Sequence, residues 1–333
     1  MSTTVTVAFN RFMQDTVDLP AAVTRSARSR RDYLSDSLTR LAKADPDFTF
    51  LKGDFVPYGS FARRTKIQPL DDIDLLVVVS DRGIREAVTR NVPIVHRVKI
   101  ENAKAPLARF ASEEGYVNSI LVLNRVKTAL GKLHHYKRAA VKRNYQAVSL
   151  SLTSHDWTFD LVPAVPVKTP QGKVKYFLIP DGSGQWMRTD PRKDADLVTK
   201  TNARQNQKLL PVIRMLKVWN RRTSKPRLAS FLFEVYVLRS FSTVPAMESA
   251  PQAVAQFFRE CPTLLNGPCP SPAGLGTDLD ADLSADKRGR VIAAMHVAAK
   301  ISQEALRHEQ KGEQAQAIAC WRKVFGERFP AHG

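Results

Sequence analysis

Apolar positions follow two rhythms along the chain. Residues 5–16 and about 20–43 repeat at helical spacing, with Leu34, Leu38 and Leu41 on one face. Asp45-Pro46-Asp47 stops the second helix. Phe55 to Tyr58 reads as a short strand, and the almost continuously aliphatic Ile73 to Val79 as a buried one. Asn118 to Lys137 has the period of an amphipathic helix, Ala147 to Leu152 and Trp157 to Val162 that of a strand pair. Lys175 to Ile179 is a further strand before the turn Pro180-Asp181-Gly182. From about Asp194 the pattern becomes helical, over 202–222, 228–242, 251–259, 285–309 and 312–326, interrupted by a Pro/Gly-rich loop from Cys261 to Gly276. This order predicts an α+β fold in two lobes: residues 1–190 with N-terminal helices and a sheet, and an all-α lobe over 191–333.

At roughly 150 residues per domain, the length suggests two lobes or one large domain. The 333 residues are 43% apolar and 25% charged, a globular balance rather than a disordered one. Apolar runs stop at about five residues, as in Leu75 to Val79, whereas a membrane helix needs about 20. No basic segment with an apolar core opens the chain, and Arg11 and Asp15 fall early, so no secretory signal is expected. Cys261, Cys269 and Cys320 are odd in number and lack metal-ligand spacing, which predicts a reduced cytoplasmic protein without disulfides.

Charge narrows the function. Lys plus Arg number 51 and Asp plus Glu 32, a net charge of +19 that draws polyanions such as nucleotides or nucleic acid. No acid occurs between Glu114 and Asp156, or between Asp196 and Glu234. Each block reads either as a phosphate-facing surface or as a solvated basic face. Within the second block Arg214, Lys217 and Arg221 share one helical face. His134-His135, on the basic helix, reads as solvated, with no ligand geometry.

The acids are placed differently. Tyr58-Gly59-Ser60-Phe61-Ala62-Arg63-Arg64-Thr65 precedes Asp71-Asp72-Ile73-Asp74 and its aliphatic run. Gly59 and Ser60 follow a strand and open a turn, where free backbone N–H groups and a hydroxyl can take phosphate oxygens. Asp72 and Asp74, two apart, project from one face of a strand. Carboxylates so close repel unless a cation bridges them, and Mg²⁺ favours such ligands together with substrate phosphates. Asp160 is a lone acid within the apolar strand Trp157 to Val162 and supplies a third carboxylate.

This Gly-Ser, Asp-x-Asp and later strand-Asp set is similar to the signature of polymerase-β-like nucleotidyltransferases. Leu216-Lys217-Val218-Trp219-Asn220 and Ala229-Ser230-Phe231-Leu232-Phe233-Glu234 resemble the Lys-x-Trp-Asn and Ser-Phe-x-x-Glu blocks of cGAS/DncV-like nucleotidyltransferases (CD-NTases), the second-messenger synthases of bacterial CBASS antiphage operons. The resemblance spans roughly residues 55–240, and Arg64 departs from it, since many nucleotidyltransferases carry glycine there.

The resemblance implies a polymerase-β-like core in which Asp72, Asp74 and Asp160 hold two Mg²⁺ ions, with Mn²⁺ a substitute. It implies that Gly59 and Ser60 grip the donor triphosphate, and that Lys217 and Ser230 contact its β- and γ-phosphates. Phe231 matches a base-stacking aromatic, with core packing as its alternative. Arg63 is a phosphate contact or a surface residue. The implied reaction joins ATP, GTP or both into a cyclic di- or trinucleotide that a downstream effector reads. An RNA-tailing or small-molecule nucleotidyltransferase and an inactive nucleic-acid sensor are the competing readings. Unspecific nucleic-acid binding is expected from the charge. Gly333 is small enough for the conjugating enzyme that some such operons encode.

Overall fold

The aliphatic run after Asp72 forms a central strand because every residue from Leu75 to Ser80 is buried, so both of its faces are covered. In the computed structural model, which describes residues 3–89, 94–153 and 156–333, this is β2 (Asp72–Val79) in a nine-stranded sheet. The strands are β1 (Leu51–Tyr58), β2, β3 (Ile84–Thr89), β4 (Val95–Ile100), β5 (Ala140–Asn144), β6 (Ala147–Ser151), β7 (Thr158–Lys168), β8 (Val174–Pro180) and β9 (Trp186–Thr189). Their order is β1-β2-β7-β8-β9-β4-β3, with β6 also on β7 and β5 on β6. β2 and β7 run parallel, and the other described pairs are antiparallel. The helices are α1 (Val5–Phe12), continued by a π-helical stretch to Val17, α2 (Ala21–Ala44), the one-turn α3 (Gly59–Ala62), α4 (Ser119–Lys132), α5 (Pro191–Arg204), α6 (Leu209–Asn220), α7 (Ser230–Phe241), α8 (Ala250–Leu265), α9 (Ala285–Gln310) and α10 (Gln314–Phe325).

The chain divides into two compact units. One comprises Ala21–Ala62 and Leu70–Arg192 and holds the sheet, with α2 against β1 and α4 against β5 to β8. α4 buries Val122, Leu123, Val126, Ala129 and Leu130, the face its period predicts. Leu76, Val78, Val162, Ala164, Phe177 and Ile179 form an apolar cluster on the sheet.

The other unit comprises Met1–Pro20, Arg63–Pro69 and Lys193–Gly333. The expected division at residue 190 thus sits beside a helical unit that also takes in the first twenty residues. Phe9 and Phe12 of α1 pack in an aromatic cluster with Phe325 and Phe329, Phe9 also against Trp321. That cluster belongs to the core built by α6, α7, α8, α9 and α10. Phe329 is fully buried, and the Gly333 carbonyl accepts a bond from the Thr3 hydroxyl at 2.7 Å.

Several element boundaries differ from the sequence expectation. The helix expected over 202–222 is interrupted, with Asn206 and Gln207 at φ of 50° and 62° between α5 and α6. α4 ends at Lys132, five residues early, and His134–Tyr136 form a separate 3-10 turn. α8 continues through Pro262 to Leu265. Strands β3, β4, β5 and β9 fall where no strand was expected. β4 and β9 bury one side chain each and β3 and β5 none, so no apolar period marks them.

Candidate active site

Strand register gathers the three aspartates within the sheet unit. Tyr58 on β1 lies opposite Asp74 on β2, Asp74 opposite Asp160 on β7, and Asp160 opposite Ser149 on β6. Four polar side chains therefore form one row across four neighbouring strands, which lie about 4.8 Å apart in a sheet. Asp72 sits two residues back on the same face, opposite Thr158. Asp72, Asp74 and Asp160 are half-buried, whereas Ile73 and Phe159 between them are buried on the other face. The Asp71 carbonyl accepts the Thr158 N–H at 3.0 Å and fixes the start of the β2–β7 pairing.

The electrostatics match this placement. The Tyr58 hydroxyl is pushed far above its usual range, first by burial and then by the negative charges of Asp74, Asp160 and Asp72. Three carboxylates thus act on one phenol. Ser149 Oγ donates to Asp160 Oδ1 at 2.5 Å and holds that carboxylate in place. Gly59 begins α3 at φ +71°, and a Cβ there would lie 1.7 Å from Asp74 Oδ2 and 2.5 Å from its Cγ. The missing side chain is the space that the Asp74 carboxylate occupies. Ser60 follows directly, half-buried in the same turn. Three carboxylates on one face, with a glycine cradle beside them, are hard oxygen donors suited to Mg²⁺.

The helical unit gathers a second set around Glu234, a fully buried carboxylate on α7. Arg63 Nε donates to Glu234 Oε1 at 2.7 Å, while Thr65 Oγ1 and Lys217 Nζ reach Oε2 at 2.8 and 3.1 Å. Burial pushes Glu234 up, but the Arg63 and Lys217 charges and the bonds from Arg63 and Thr65 outweigh it and hold the carboxyl below its ordinary value. Lys217 is pulled below its ordinary value by burial, which together with the Arg63 and Lys66 charges outweighs its Glu234 partner. The Arg63 side chain is only 7% exposed, so the surface alternative for it does not hold. Its guanidinium lies 4.9 Å over the Phe231 ring, which is half-buried against the helical core. Ser230 is exposed at the first position of α7.

The basic face of α6 is occupied within the same unit. Arg214 bonds Asp18 and the Arg64 carbonyl at 2.7 and 2.9 Å, and Arg221 bonds the Gln68 carbonyl at 3.2 Å. Arg64 stands at φ +62°, the left-handed region that glycine favours. The departure from the glycine pattern thus keeps the backbone path and strains it. In the sequence Glu234 appears only as the last residue of the Ser-Phe-x-x-Glu block, with no role attached. Its signal is the one that exposed Asp160, a lone acid in an apolar helix next to an acid-free stretch. Tyr58 and Ser149 carry no such signal, because their role follows from register alone.

No protein-family model matches the sequence. A probable cyclic nucleotide synthase of Bacillus cereus is 34% identical over 340 residues, covering 100% of this chain and 99% of the relative. CdnC of Escherichia coli MS115-1, solved with ATP, superposes with a TM-score of 0.72 at 19% identity, covering 97% of this chain and 98% of that one. The Vibrio cholerae cyclic AMP-GMP synthase DncV, solved with a linear intermediate, gives 0.64 at 12% identity over 97% and 96%. The two structures agree in fold, and the full-length relative fixes the family: the chain belongs to the bacterial cGAS/DncV-like nucleotidyltransferases.

Proposed function

We propose that the protein condenses nucleoside triphosphates, ATP, GTP or both, into a cyclic di- or trinucleotide, releasing pyrophosphate, as the signal-producing enzyme of a cytoplasmic antiphage system. The observation that carries this reading is the row Tyr58–Asp74–Asp160–Ser149 with Asp72 beside it. A full-length relative named as a cyclic nucleotide synthase supports cyclisation over RNA tailing or drug modification.

Asp72, Asp74 and Asp160 would hold two Mg²⁺ ions. Bound there, the ions supply charge neutralisation at the α-phosphate and leaving pyrophosphate and acidify the acceptor ribose hydroxyl. Gly59 leaves room for the Asp74 carboxylate, and Ser60 offers its hydroxyl to phosphate oxygens. Ser149 orients Asp160. Tyr58 keeps its proton and so remains a neutral hydrogen-bond donor beside three anions. Lys217 and Ser230 serve the triphosphate tail. An ammonium has three donors, and Glu234 engages one of them while fixing where the group points. Arg63 acts through Glu234 and as the cationic cover of Phe231. The +19 charge adds a salt-sensitive, unspecific affinity for nucleic acid. A downstream effector reads the product, and a conjugating enzyme would act on the C-terminal carboxyl of Gly333.

The test is incubation with four nucleoside triphosphates and Mg²⁺, followed by phosphatase treatment and chromatography. Small phosphatase-resistant products support the proposal; tailed RNA, or no turnover, overturns it.

A further inference from the structure

The α9–α10 hairpin places three metal-ligating side chains together in the helical unit, well apart in sequence from the nucleotidyl-transfer motifs. Glu304 and His308 lie one turn apart on α9, with Glu304 Oε1 3.8 Å from His308 Nε2. Cys320 comes from α10 and is 3% exposed. One ligand atom of each, a carboxylate oxygen, a ring nitrogen and the sulfur, lies within 4.8 Å of the other two. The turn between the helices supplies a fourth group. Glu313 Oε2 sits 2.5 Å from His308 Nδ1, and the Glu313 N–H donates to the His308 carbonyl at 2.9 Å. A carboxylate on Nδ1 is the usual outer partner of a metal-bound histidine, because it fixes the tautomer with its lone pair on Nε2. Here Nε2 is the nitrogen turned toward Glu304.

We propose that Glu304, His308 and Cys320 form a binding site for a divalent transition metal, Zn²⁺ in the cell, that clamps α9 to α10. A thiolate, an imidazole and a carboxylate are the N, S and O donors Zn²⁺ takes, with water as the fourth ligand. Tetrahedral coordination at about 2.0–2.3 Å puts ligand atoms roughly 3.5 Å apart, so the site closes by small rotations, chiefly of the exposed Glu304. Cys320 binds as thiolate, and its proton passes to solvent. Cysteine spacing along the sequence carries no sign of the site, because its ligands come from two helices and only one is a cysteine.

The test uses the full chain, stripped with a chelator and titrated with Co²⁺. A thiolate-to-cobalt charge-transfer band saturating at one equivalent, and abolished by added Zn²⁺, is expected. Cys320→Ser should remove the band, and Glu313→Gln should weaken binding by about 10–100-fold. Because Cys320 is buried, the exposed-ligand variant Glu304→Gln provides a fold-independent check. It should lose at least tenfold in Co²⁺ affinity with an unchanged circular dichroism spectrum. Absence of the band, a band that survives Cys320→Ser, or wild-type affinity in Glu304→Gln overturns the proposal.

Discussion

The Cβ that any other residue would carry at position 59 falls 1.7 Å from Oδ2 of Asp74. Loop and strand are therefore one design: the turn that opens α3 can close only over a glycine, and the glycine leaves room for the carboxylate. Gly59→Ala must displace Asp74, and the left-handed backbone adds about 1–2 kcal/mol of strain. Turnover should fall at least 100-fold while the thermal midpoint drops by only a few degrees. Near-normal activity in Gly59→Ala would show that Asp74 is free to move without consequence.

Ser149 holds Asp160 by a 2.5 Å hydrogen bond, and in the proposed mechanism it acts on the reaction through that carboxylate. Ser149→Ala should raise the Mg²⁺ concentration for half-maximal activity by about 10–100-fold and restore most of the maximal rate at saturating Mg²⁺. A loss of rate independent of Mg²⁺ would assign Ser149 a different role.

Glu234, fully buried, binds two largely buried cations. Glu234→Gln leaves Arg63 and Lys217 buried without a counter-charge, and breaking such a pair costs about 3–5 kcal/mol. Denaturant midpoints of wild type and variant measure this. Because the folded carboxyl titrates below its ordinary value, the unfolded chain binds more protons in the acid range. The stability this group contributes is complete above its unfolded value of about 4.3 and is lost as pH falls through the folded value. The wild-type protein should lose stability steeply in that acid window, and Glu234→Gln much less so.

Arg64 adopts the left-handed conformation at φ +62° with its carbonyl bound by Arg214. Arg64→Gly should release about 1 kcal/mol of strain, offset in part by the entropy of glycine in the unfolded chain. A thermal midpoint equal to or slightly above wild type is expected, and a clear loss would show that the Arg64 side chain matters more than its backbone.

Features visible in the sequence are those in which residue type conflicts with surroundings. Asp72, Asp74 and Asp160 stood out because acids in aliphatic strands are costly without a cation, and β2 because burial on both faces leaves an unbroken aliphatic run. β5 carried no such mark, since all but one of its residues are exposed and Lys142, Arg143 and Asn144 are polar. The break before α6 has a mark in Pro211, which sits most easily in the first turn of a helix. The row linking Tyr58 to Ser149 was not readable, because it depends on the register between two strand pairs, β1–β2 and β6–β7, that lie far apart in sequence. The Glu234 network likewise needs residues 63–69 to pack with α6 and α7.

The most direct measurement compares wild type with the double variant Asp72→Asn/Asp74→Asn on the four nucleoside triphosphates with Mg²⁺. The variant relieves like-charge repulsion, so it should fold with equal or greater stability in the absence of metal. If Asp72 and Asp74 hold the metal ions as proposed, their removal takes away the main stabilisation of the transition state. Wild type should accumulate a phosphatase-resistant cyclic product, and the folded variant less than a few percent of it. Cyclic product from the variant at a comparable level, or none from wild type, would contradict the account.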